Sequence, residues 1–401
     1  MEWLLDSKNA LCYNETITQR EALHLDFSQL HDYMNRLIEK GVPGLELAVC
    51  RRHEVLFHEC AGYSDYNRTQ TARPSDRYWM YSCTKPVLAA SAMRCIEDGL
   101  FGLDDPVSKY LPAYENAFVL KNGEKQPLSE PMLIRHLFTM TAGLDYNKQR
   151  GGVARVVAET NGRATTIQLA EAMAEEALSF EPGERFQYSL CHDVLGAVIE
   201  KASGMSLRDY MKAKIFEPLE MTQTDFWTAE EKPRNLAAQY VYDSNRKILD
   251  QFDQKNDFVL SENYYSGGAG LLSTCEDYLK FTDAMSCGGV GAHGARILKA
   301  ETIDLMRSEQ IPAFRVEGSF TCTCGPDYGY GLGVRTRIAF NEGVPSALGE
   351  FGWDGAAGAD MLMDPEHELS MMFMTHIRNW PAMLGPVHLQ IRDILYPLLG
   401  L

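Results

Sequence analysis

The chain has 401 residues, of which 45% are hydrophobic and 23% are charged, the balance of an ordinary globular protein. Because a single hydrophobic core rarely grows beyond roughly 250–300 residues, this length predicts two lobes. A formal net charge of −17 argues against binding to nucleic acid or to an anionic membrane, since both require concentrated lysine and arginine.

The start of the chain carries no recognisable targeting signal. The first six residues, MEWLLD, lack a basic region, and their apolar run is too short for a signal peptide. No stretch of the chain approaches the roughly 18 apolar residues that span a bilayer. We therefore expect a cytoplasmic protein without a membrane partner, unless a signal was removed from a precursor.

Ten cysteines are scattered along the chain without the spacing of a disulfide framework. In a reducing compartment, most of them are expected to be small, buried apolar side chains. Cys322 and Cys324 form the only close pair, and neither a second pair nor a histidine cluster accompanies them in the sequence. The sequence therefore favours neither a metal site nor a cofactor.

The first part of the chain predicts a helix, two strands and then a mainly helical region. Asp26 resembles the N-cap of a helix that runs to about Glu39. Apolar and polar residues partly alternate over residues 45–51 and 55–60, which is typical of strands. From Ser82 to about Phe258 the pattern is mainly helical. The helices predicted there cover residues 85–99, 133–140, 167–178, 193–203 and 207–216.

Strands return after Gly267. Thr274 and Asp277 resemble a capping box that opens a helix over residues 276–285. The other elements predicted in this part are strands over residues 328–338, 359–363 and 369–376 and a final helix over residues 386–399. This order predicts an α/β lobe from residues 1–75 and 265–401 and an inserted, mainly helical lobe of residues 76–264. We expect the active site in the cleft between the two lobes.

Ser82 and Lys85 are the candidate nucleophile and base. A helix's first turn would place them side by side, and a neutral lysine can remove the proton of a neighbouring serine. A second Ser-x-x-Lys, Ser244 to Lys247, lies among charged residues and is typical of a solvated turn. Only the first copy precedes a long apolar run, which favours a buried helix and a fixed serine.

Other hydrolase signals fail. No Gly-x-Ser-x-Gly elbow is present, which argues against the α/β-hydrolase fold. His53, Glu54 and His58 resemble a zinc-protease motif, but the histidines are five residues apart instead of four. On the predicted strand, this odd spacing puts the two imidazoles on opposite faces.

Two later segments also carry chemistry. Tyr188 precedes an apolar helix, where a tyrosine is most often a partly buried anchor. The glycine-rich run at residues 352–358, GWDGAAG, forms either a tight turn or a strand edge whose backbone N–H groups can approach a substrate oxyanion.

Together these segments resemble the serine β-lactamase superfamily, with its penicillin-binding-protein fold, and in particular class C β-lactamases and family VIII carboxylesterases. The resemblance runs from about Val42 to Met374. The matching motifs are residues 81–85 (YSCTK), 103–112 (LDDPVSKYLP), 137–144 (LFTMTAGL), 215–221 (IFEPLEM), 267–274 (GGAGLLST) and 329–333 (GYGLG).

The resemblance implies a largely antiparallel sheet flanked by helices, with an inserted helical lobe. It makes Ser82 the nucleophile, Lys85 the base and Tyr188 the tyrosine that shares the proton and passes it to the leaving group. The family's third motif falls on Trp353, Asp354 and Gly355. The backbone N–H groups of Ser82 and of the next residue, Ala356, would form the oxyanion hole, and no metal is needed.

Two departures from the β-lactamase pattern bear on the substrate. Leu190 replaces the asparagine of the second motif, and His192 is the nearest polar candidate for the cleft, although a lone histidine is more often structural. The third motif lacks the cation that helps hold a β-lactam carboxylate. Trp353 is apolar, and Asp354 would repel that carboxylate if it faced the cleft.

We therefore expect a serine hydrolase that acts through an acyl-enzyme on small esters or amides. A β-lactamase or a D-aminopeptidase-like enzyme is the second reading, and a non-catalytic β-lactam sensor or pseudoenzyme the third. The partner expected is a small ester, amide or β-lactam molecule, and the oligomeric state stays open.

Overall fold

A computed structural model describes residues 25–148, 151–227, 234–312, 327–340, 345–381 and 386–401. Its helices are α1 (Ser28–Glu39), α2 (Thr84–Glu97), α3 (Ile134–Phe138), α4 (Gly151–Glu159), α5 (Thr166–Met173), α6 (Cys191–Ser203), α7 (Leu207–Met211), α8 (Cys275–Ser286), α9 (Ala300–Arg307) and α10 (His388–Leu398). Within these residues, no helix combines the length and apolar character needed to cross a membrane.

The strands are β1 (Gly44–Arg51), β2 (Glu54–Gly62), β3 (Tyr78–Trp79), β4 (Phe118–Lys121), β5 (Glu124–Pro127), β6 (Asp225–Phe226), β7 (Tyr240–Asp243), β8 (Ile248–Gln251), β9 (Leu271–Ser273), β10 (Tyr328–Tyr330), β11 (Arg335–Arg337), β12 (Phe351–Asp354), β13 (Asp360–Asp364), β14 (Leu369–Thr375) and β15 (Ile377–Arg378). Seven of them form one sheet in the order β10-β11-β12-β13-β14-β1-β2, with every neighbouring pair antiparallel. This sheet draws its strands from both ends of the described chain.

The central strands of the sheet divide the interior into two cores. Along β1, Leu45, Leu47 and Val49 face a core that also contains residues of α1 and α10. The alternate residues Ala48 and Cys50 face the main core, which contains α2, α6 and α8. This period of two is the pattern of a strand that is buried on both faces.

Helix α2 is central to the main core. Eleven of its fourteen residues are buried, including Lys85. A helix that is buried on nearly all sides keeps its first turn in a fixed position. It packs beside α6, while β3, which precedes it, pairs with β9 in a small sheet with β6.

Most of the predicted elements are present, the majority with bounds within three residues of those predicted. The helix predicted over residues 207–216 is α7 followed directly by a π-helical turn, Lys212–Phe216. The predicted helix over residues 167–178 ends at Met173, and α4 was not predicted. The single strand predicted over residues 328–338 is instead a hairpin, β10 and β11, because Gly331 and Gly333 make a turn. Cys322 and Cys324 lie outside the described residues.

The Thr274 cap is confirmed in part: its side chain accepts from Asp277 N–H, but the Asp277 carboxylate accepts from Gln223 N–H and Lys280 and does not complete a capping box. The prediction of Asp26 as an N-cap was wrong by one residue, since Phe27 occupies that position, although the Asp26 carboxylate accepts from Ser28 N–H.

Candidate active site

Ser82 lies at the junction between β3 and helix α2. The chain makes a 3₁₀ turn, Tyr81–Cys83, before α2 begins at Thr84. Tyr81 adopts a φ of 45°, and its buried hydroxyl donates a 2.5 Å hydrogen bond to Gln239 Oε1. A non-glycine residue in this conformation costs about 1–3 kcal/mol and persists only when its surroundings hold it. The turn therefore presents the half-buried Ser82 in a fixed position.

Lys85 is fully buried one turn after Ser82, and its amine contacts three uncharged acceptors. Lys85 Nζ donates to Ser82 Oγ at 3.1 Å, to the Tyr146 hydroxyl at 3.0 Å and to the Gly268 carbonyl at 2.8 Å. Because a carboxylate in direct contact would favour the charged amine, these acceptors suit a lysine that has to release its proton.

The carboxylate of Asp193 lies near Lys85, but it is hydrogen-bonded to two hydroxyl groups. The fully buried side chain of Asp193 accepts hydrogen bonds from the hydroxyls of Tyr264 and Ser266, each at 2.6 Å. Burial raises the pKa of Asp193, against the opposing effect of these hydrogen bonds and of Lys85. Asp193 thus acts on Lys85 through space and anchors the segment that carries the Gly268 carbonyl.

Tyr146 and Tyr188 approach Lys85 in different ways. The Tyr146 hydroxyl accepts directly from Lys85, whereas Lys85 Nζ lies over the Tyr188 ring, 4.6 Å from its centroid. The Tyr188 hydroxyl accepts a 3.0 Å hydrogen bond from Trp353 Nε1. Desolvation, with the neighbouring Tyr188 next in effect, raises the pKa of Tyr146 well above its usual range, so this hydroxyl stays neutral. The hydroxyl that accepts from the lysine amine is therefore that of Tyr146, whereas the predicted Tyr188 contacts the amine through its ring.

Aromatic rings form the wall beside the Ser82–Lys85 pair. Tyr188 lies 5.6 Å from Trp353 and 5.4 Å from Tyr146 between ring centroids. Tyr330 meets Trp353 edge-on at 5.3 Å, and Phe258 meets Tyr146 at 5.8 Å. Tyr146, Tyr188, Phe258 and Trp353 are partly exposed and form an apolar, uncharged surface, while the fully buried Tyr330 supports Trp353 from behind.

The end of strand β12 packs against the turn that carries Ser82. The Cys83 thiol lies 3.7 Å from the Trp353 carbonyl, and a Cβ added at Gly355 would lie only 2.6 Å from the Met80 carbonyl. Gly352 is equally confined, since its Cβ would lie 2.0 Å from the Met361 carbonyl. Glycine is needed at both positions, because only glycine allows this approach. The predicted oxyanion residue, Ala356, follows Gly355 directly.

His192 is not in the cleft, contrary to the prediction. Its side chain is fully buried on helix α6, with Nε2 3.4 Å from the Phe138 carbonyl. Burial, with a smaller effect of Lys85, lowers the pKa of His192 to about 3, so the ring is neutral. The residues next to His192 on α6 are also buried, so the imidazole packs in the core. The residue type at position 192 alone does not reveal this burial.

Asp354 also faces away from the cleft. Because side chains alternate along a strand, Trp353 and Asp354 lie on opposite faces of β12. Asp354 Oδ1 accepts from Arg335 Nη1 at 2.8 Å, and the carboxylate is 10% exposed. Arg335 also contacts Asp360 at 3.1 Å, and Arg392 reaches Asp360 at 3.5 Å. Asp354 therefore anchors the strand, and its expected repulsion of a substrate carboxylate does not apply.

Two residues of this site were missed from the sequence. Tyr146 comes just after the quoted family segment that ends at Leu144, and Asp193 follows His192 directly. The only signal for Tyr146 in the sequence is its position, two residues after the motif that ends at Leu144. Nothing in the sequence distinguished Asp193 from an ordinary residue of a helix's first turn.

The chain belongs to the β-lactamase family, since the family described as Beta-lactamase matches residues 16–395. Esterase EstB of Burkholderia gladioli is 29% identical over 387 residues, covering 90% of this chain and 92% of EstB. Lovastatin esterase of Penicillium rubens is 25% identical over 299 residues, covering 71% of this chain and 74% of that protein.

A solved structure agrees with these relatives. EstCE1, described as a hydrolase with promiscuous acyltransferase activity, superposes with a TM-score of 0.75 at 27% identity, covering 95% of this chain and all of its own. The predicted family, its fold class and its esterase relatives are thereby confirmed.

Proposed function

We propose that this chain is a serine esterase that hydrolyses small, uncharged esters through an acyl-enzyme. The 3.1 Å contact between Lys85 Nζ and Ser82 Oγ is the observation that carries the proposal. It places the candidate base within hydrogen-bonding reach of the proton it has to remove. The similarity to EstB and to lovastatin esterase supports an ester as the substrate.

The reaction begins when Ser82 Oγ attacks the ester carbonyl carbon and its proton passes to Lys85 Nζ. The carbonyl oxygen becomes an oxyanion, which the backbone N–H groups of Ser82 and Ala356 stabilise. The bond to the alcohol oxygen then breaks, and the alcohol leaves with a proton that Lys85 and Tyr188 supply. Water then attacks the acyl carbon and gives up a proton to Lys85 Nζ. The bond between the acyl carbon and Ser82 Oγ breaks, Lys85 returns the proton to Ser82 Oγ, and the acid is released.

The aromatic wall supports an uncharged substrate. Trp353 stands where β-lactamases usually carry a cation. Two basic side chains of this region, Lys148 and Arg378, both contact Asp257, at 2.8 Å and 3.2 Å. Their charge is thus partly neutralised within the protein, which leaves less positive potential for a substrate carboxylate.

We also propose a two-lobed domain organisation and a cytoplasmic location for this protein. The seven strands of the main sheet come from residues 44–62 and 328–375, which supports an α/β lobe of residues 1–75 and 265–401 around an inserted lobe of residues 76–264. The seven cysteines in the described part of the chain are all free thiols, which fits the reducing cytoplasm.

The test compares a p-nitrophenyl ester with a chromogenic cephalosporin on the wild type and on Ser82→Ala. We expect turnover of the ester, little or no turnover of the cephalosporin, and no burst of p-nitrophenol from Ser82→Ala. Ser91→Ala is the matched control, because Ser91 lies on the same helix and its hydroxyl only contacts the Val87 carbonyl.

Each result has a defined meaning. Full activity in Ser82→Ala would overturn the nucleophile assignment. Rapid cephalosporin hydrolysis would replace the esterase with a β-lactamase. Stable acylation of Ser82 without turnover, seen as a mass increase, would identify a sensor instead of an enzyme.

A further inference from the structure

Four metal-ligand side chains converge between the β1–β2 turn and the end of helix α8. Cys50 lies near the end of β1, and His53 lies on the turn that follows. Asp283 lies on α8, and Cys287 follows the last residue of that helix, so the two are four residues apart and share one helical face. We call this set the Cys50–Cys287 cluster (Cys50, His53, Asp283 and Cys287).

The carboxylate of Asp283 lies at the centre of the Cys50–Cys287 cluster. Asp283 Oδ1 accepts from the thiols of Cys50, at 3.3 Å, and Cys287, at 3.7 Å. Asp283 Oδ2 lies 2.7 Å from His53 Nδ1. The ligand atoms of His53, Asp283 and Cys287 all lie within 4.8 Å of one another.

The turn between β1 and β2 brings His53 to Asp283. Arg52 and His53 have φ angles of 51° and 66°, as both central residues of a two-residue type I′ hairpin turn require. The His53 N–H donates to Asp283 Oδ1 at 3.1 Å, and the Arg52 N–H donates to the Glu368 carbonyl at 2.9 Å. Main-chain and ring contacts to Asp283 together fix the imidazole.

We propose that Cys50, His53, Asp283 and Cys287 form a structural zinc site that ties the β1–β2 turn to helix α8. Two thiols, an imidazole and a carboxylate are the ligand types that zinc takes in four-coordinate sites. With bonds of about 2.0–2.3 Å, tetrahedral ligand atoms lie about 3.3–3.8 Å apart, so small movements of His53, Asp283 and Cys287 would bring these three around the ion. Cys50 lies outside that group of three but contacts Asp283 at 3.3 Å, and its thiol would have to turn toward the ion to become the fourth ligand. On binding, the two thiols release their protons to solvent and bind as thiolates.

Burial gives the site both a dry inner side and a path of entry. Cys50 is 3% exposed and Asp283 is 4% exposed, whereas one third of the His53 side chain is exposed. An ion could therefore enter past His53. The zinc ion would have a structural role, and this proposal does not depend on the proposed esterase function.

A second cluster provides the comparison. Glu46, His58 and Cys275 lie at the other end of the same interface between β1, β2 and α8, with Glu46 Oε1 2.6 Å from His58 Nε2. This set contains one thiol, whereas the Cys50–Cys287 cluster contains two. Since thiolates dominate structural zinc sites, the Cys50–Cys287 cluster is the stronger candidate.

The test is a Co²⁺ titration of the full chain after removal of metal with a chelator. We expect one Co²⁺ per chain, with the near-ultraviolet absorption of a thiolate–cobalt bond, and displacement of the cobalt by one equivalent of Zn²⁺. Zn²⁺ should also raise the melting temperature, because an ion that binds only the folded state stabilises it.

Variants locate the ion. Cys287→Ser and His53→Ala should each weaken Zn²⁺ binding by at least about ten-fold. Cys275→Ser, from the second cluster, should leave it unchanged. His53 lies on a partly exposed turn, so His53→Ala keeps the test valid if a buried cysteine variant fails to fold. Absence of the thiolate–cobalt absorption, or its loss in Cys275→Ser alone, would overturn the proposal.

Discussion

The two faces of strand β12 differ in how their buried basic side chains are paired. On the face of Trp353, one buried amine, Lys85, contacts two hydroxyls and a carbonyl, with aromatic rings around it. On the face of Asp354, the fully buried guanidinium groups of Arg335 and Arg392 are matched by carboxylates. Only a few ångströms of backbone separate the two arrangements.

The difference follows from what each face has to do. In the proposed mechanism a proton leaves and returns on the Lys85 side, so uncharged partners are appropriate for the amine there. On the Arg335 side the charges are permanent, because a guanidinium does not lose its proton in a protein. Those charges hold the backbone of β12 in place for the other face. The predictions below test this division of roles.

The largest effect is expected on the Lys85 side. Lys85→Met should lower kcat for a p-nitrophenyl ester by about 10²–10⁴, since it removes the proposed general base. Lys85→Arg should lower it about as much, because arginine keeps the charge but cannot accept a proton. Steady-state kinetics on folded protein measure both. An arginine variant with near wild-type activity would show that charge alone is needed.

The next effect is expected in stability, on the opposite face. Arg335→Met should lower the free energy of unfolding by about 3–5 kcal/mol, because Asp354 and Asp360 stay buried with less compensation. Arg155→Met, at an exposed pair with Glu159, should change it by less than about 1 kcal/mol. Urea denaturation measures both values. Equal effects of the two substitutions would mean that the buried network does not hold β12.

The smallest effect separates the two tyrosines. Tyr146→Phe removes one acceptor from the Lys85 amine, which should lower kcat by about ten-fold. Tyr188→Phe leaves that contact intact and should lower kcat for the p-nitrophenyl ester less. Equal kcat values for the two variants would contradict this distinction.

Much of the fold could be predicted because local patterns agreed with tertiary structure. The apolar run of α2 reflects burial directly, and the Thr274 cap is a contact within one turn. Strand β1 was predicted from a partial alternation of apolar and polar residues, although the strand is buried on both faces. The hairpin of β10 and β11 was missed because Gly331 and Gly333 interrupt what otherwise has the composition of one strand. Helix α4 was missed because it begins with two glycines, which are poor helix formers.

The site was predictable where it depends on neighbours in sequence. Ser82 and Lys85 are one turn apart, so their contact follows from helical geometry. Tyr146 reaches Lys85 across 61 residues, and the thiol of Cys50 reaches Asp283 across 233. No spacing rule encodes such contacts. The orientations of His192 and Asp354 depend likewise on what packs against them, which is a property of the folded chain.

Two confined glycines, Gly352 in β12 and Gly355 just after it, have a consequence for directed evolution. Gly352 and Gly355 leave no space for a Cβ, whereas the half-buried Trp353 between them has its side chain on the site. In a library that randomises these three positions, substitutions of either glycine should prevent folding, whereas substitutions of Trp353 should give folded variants. One position on this strand thus offers a route to altered acyl selectivity.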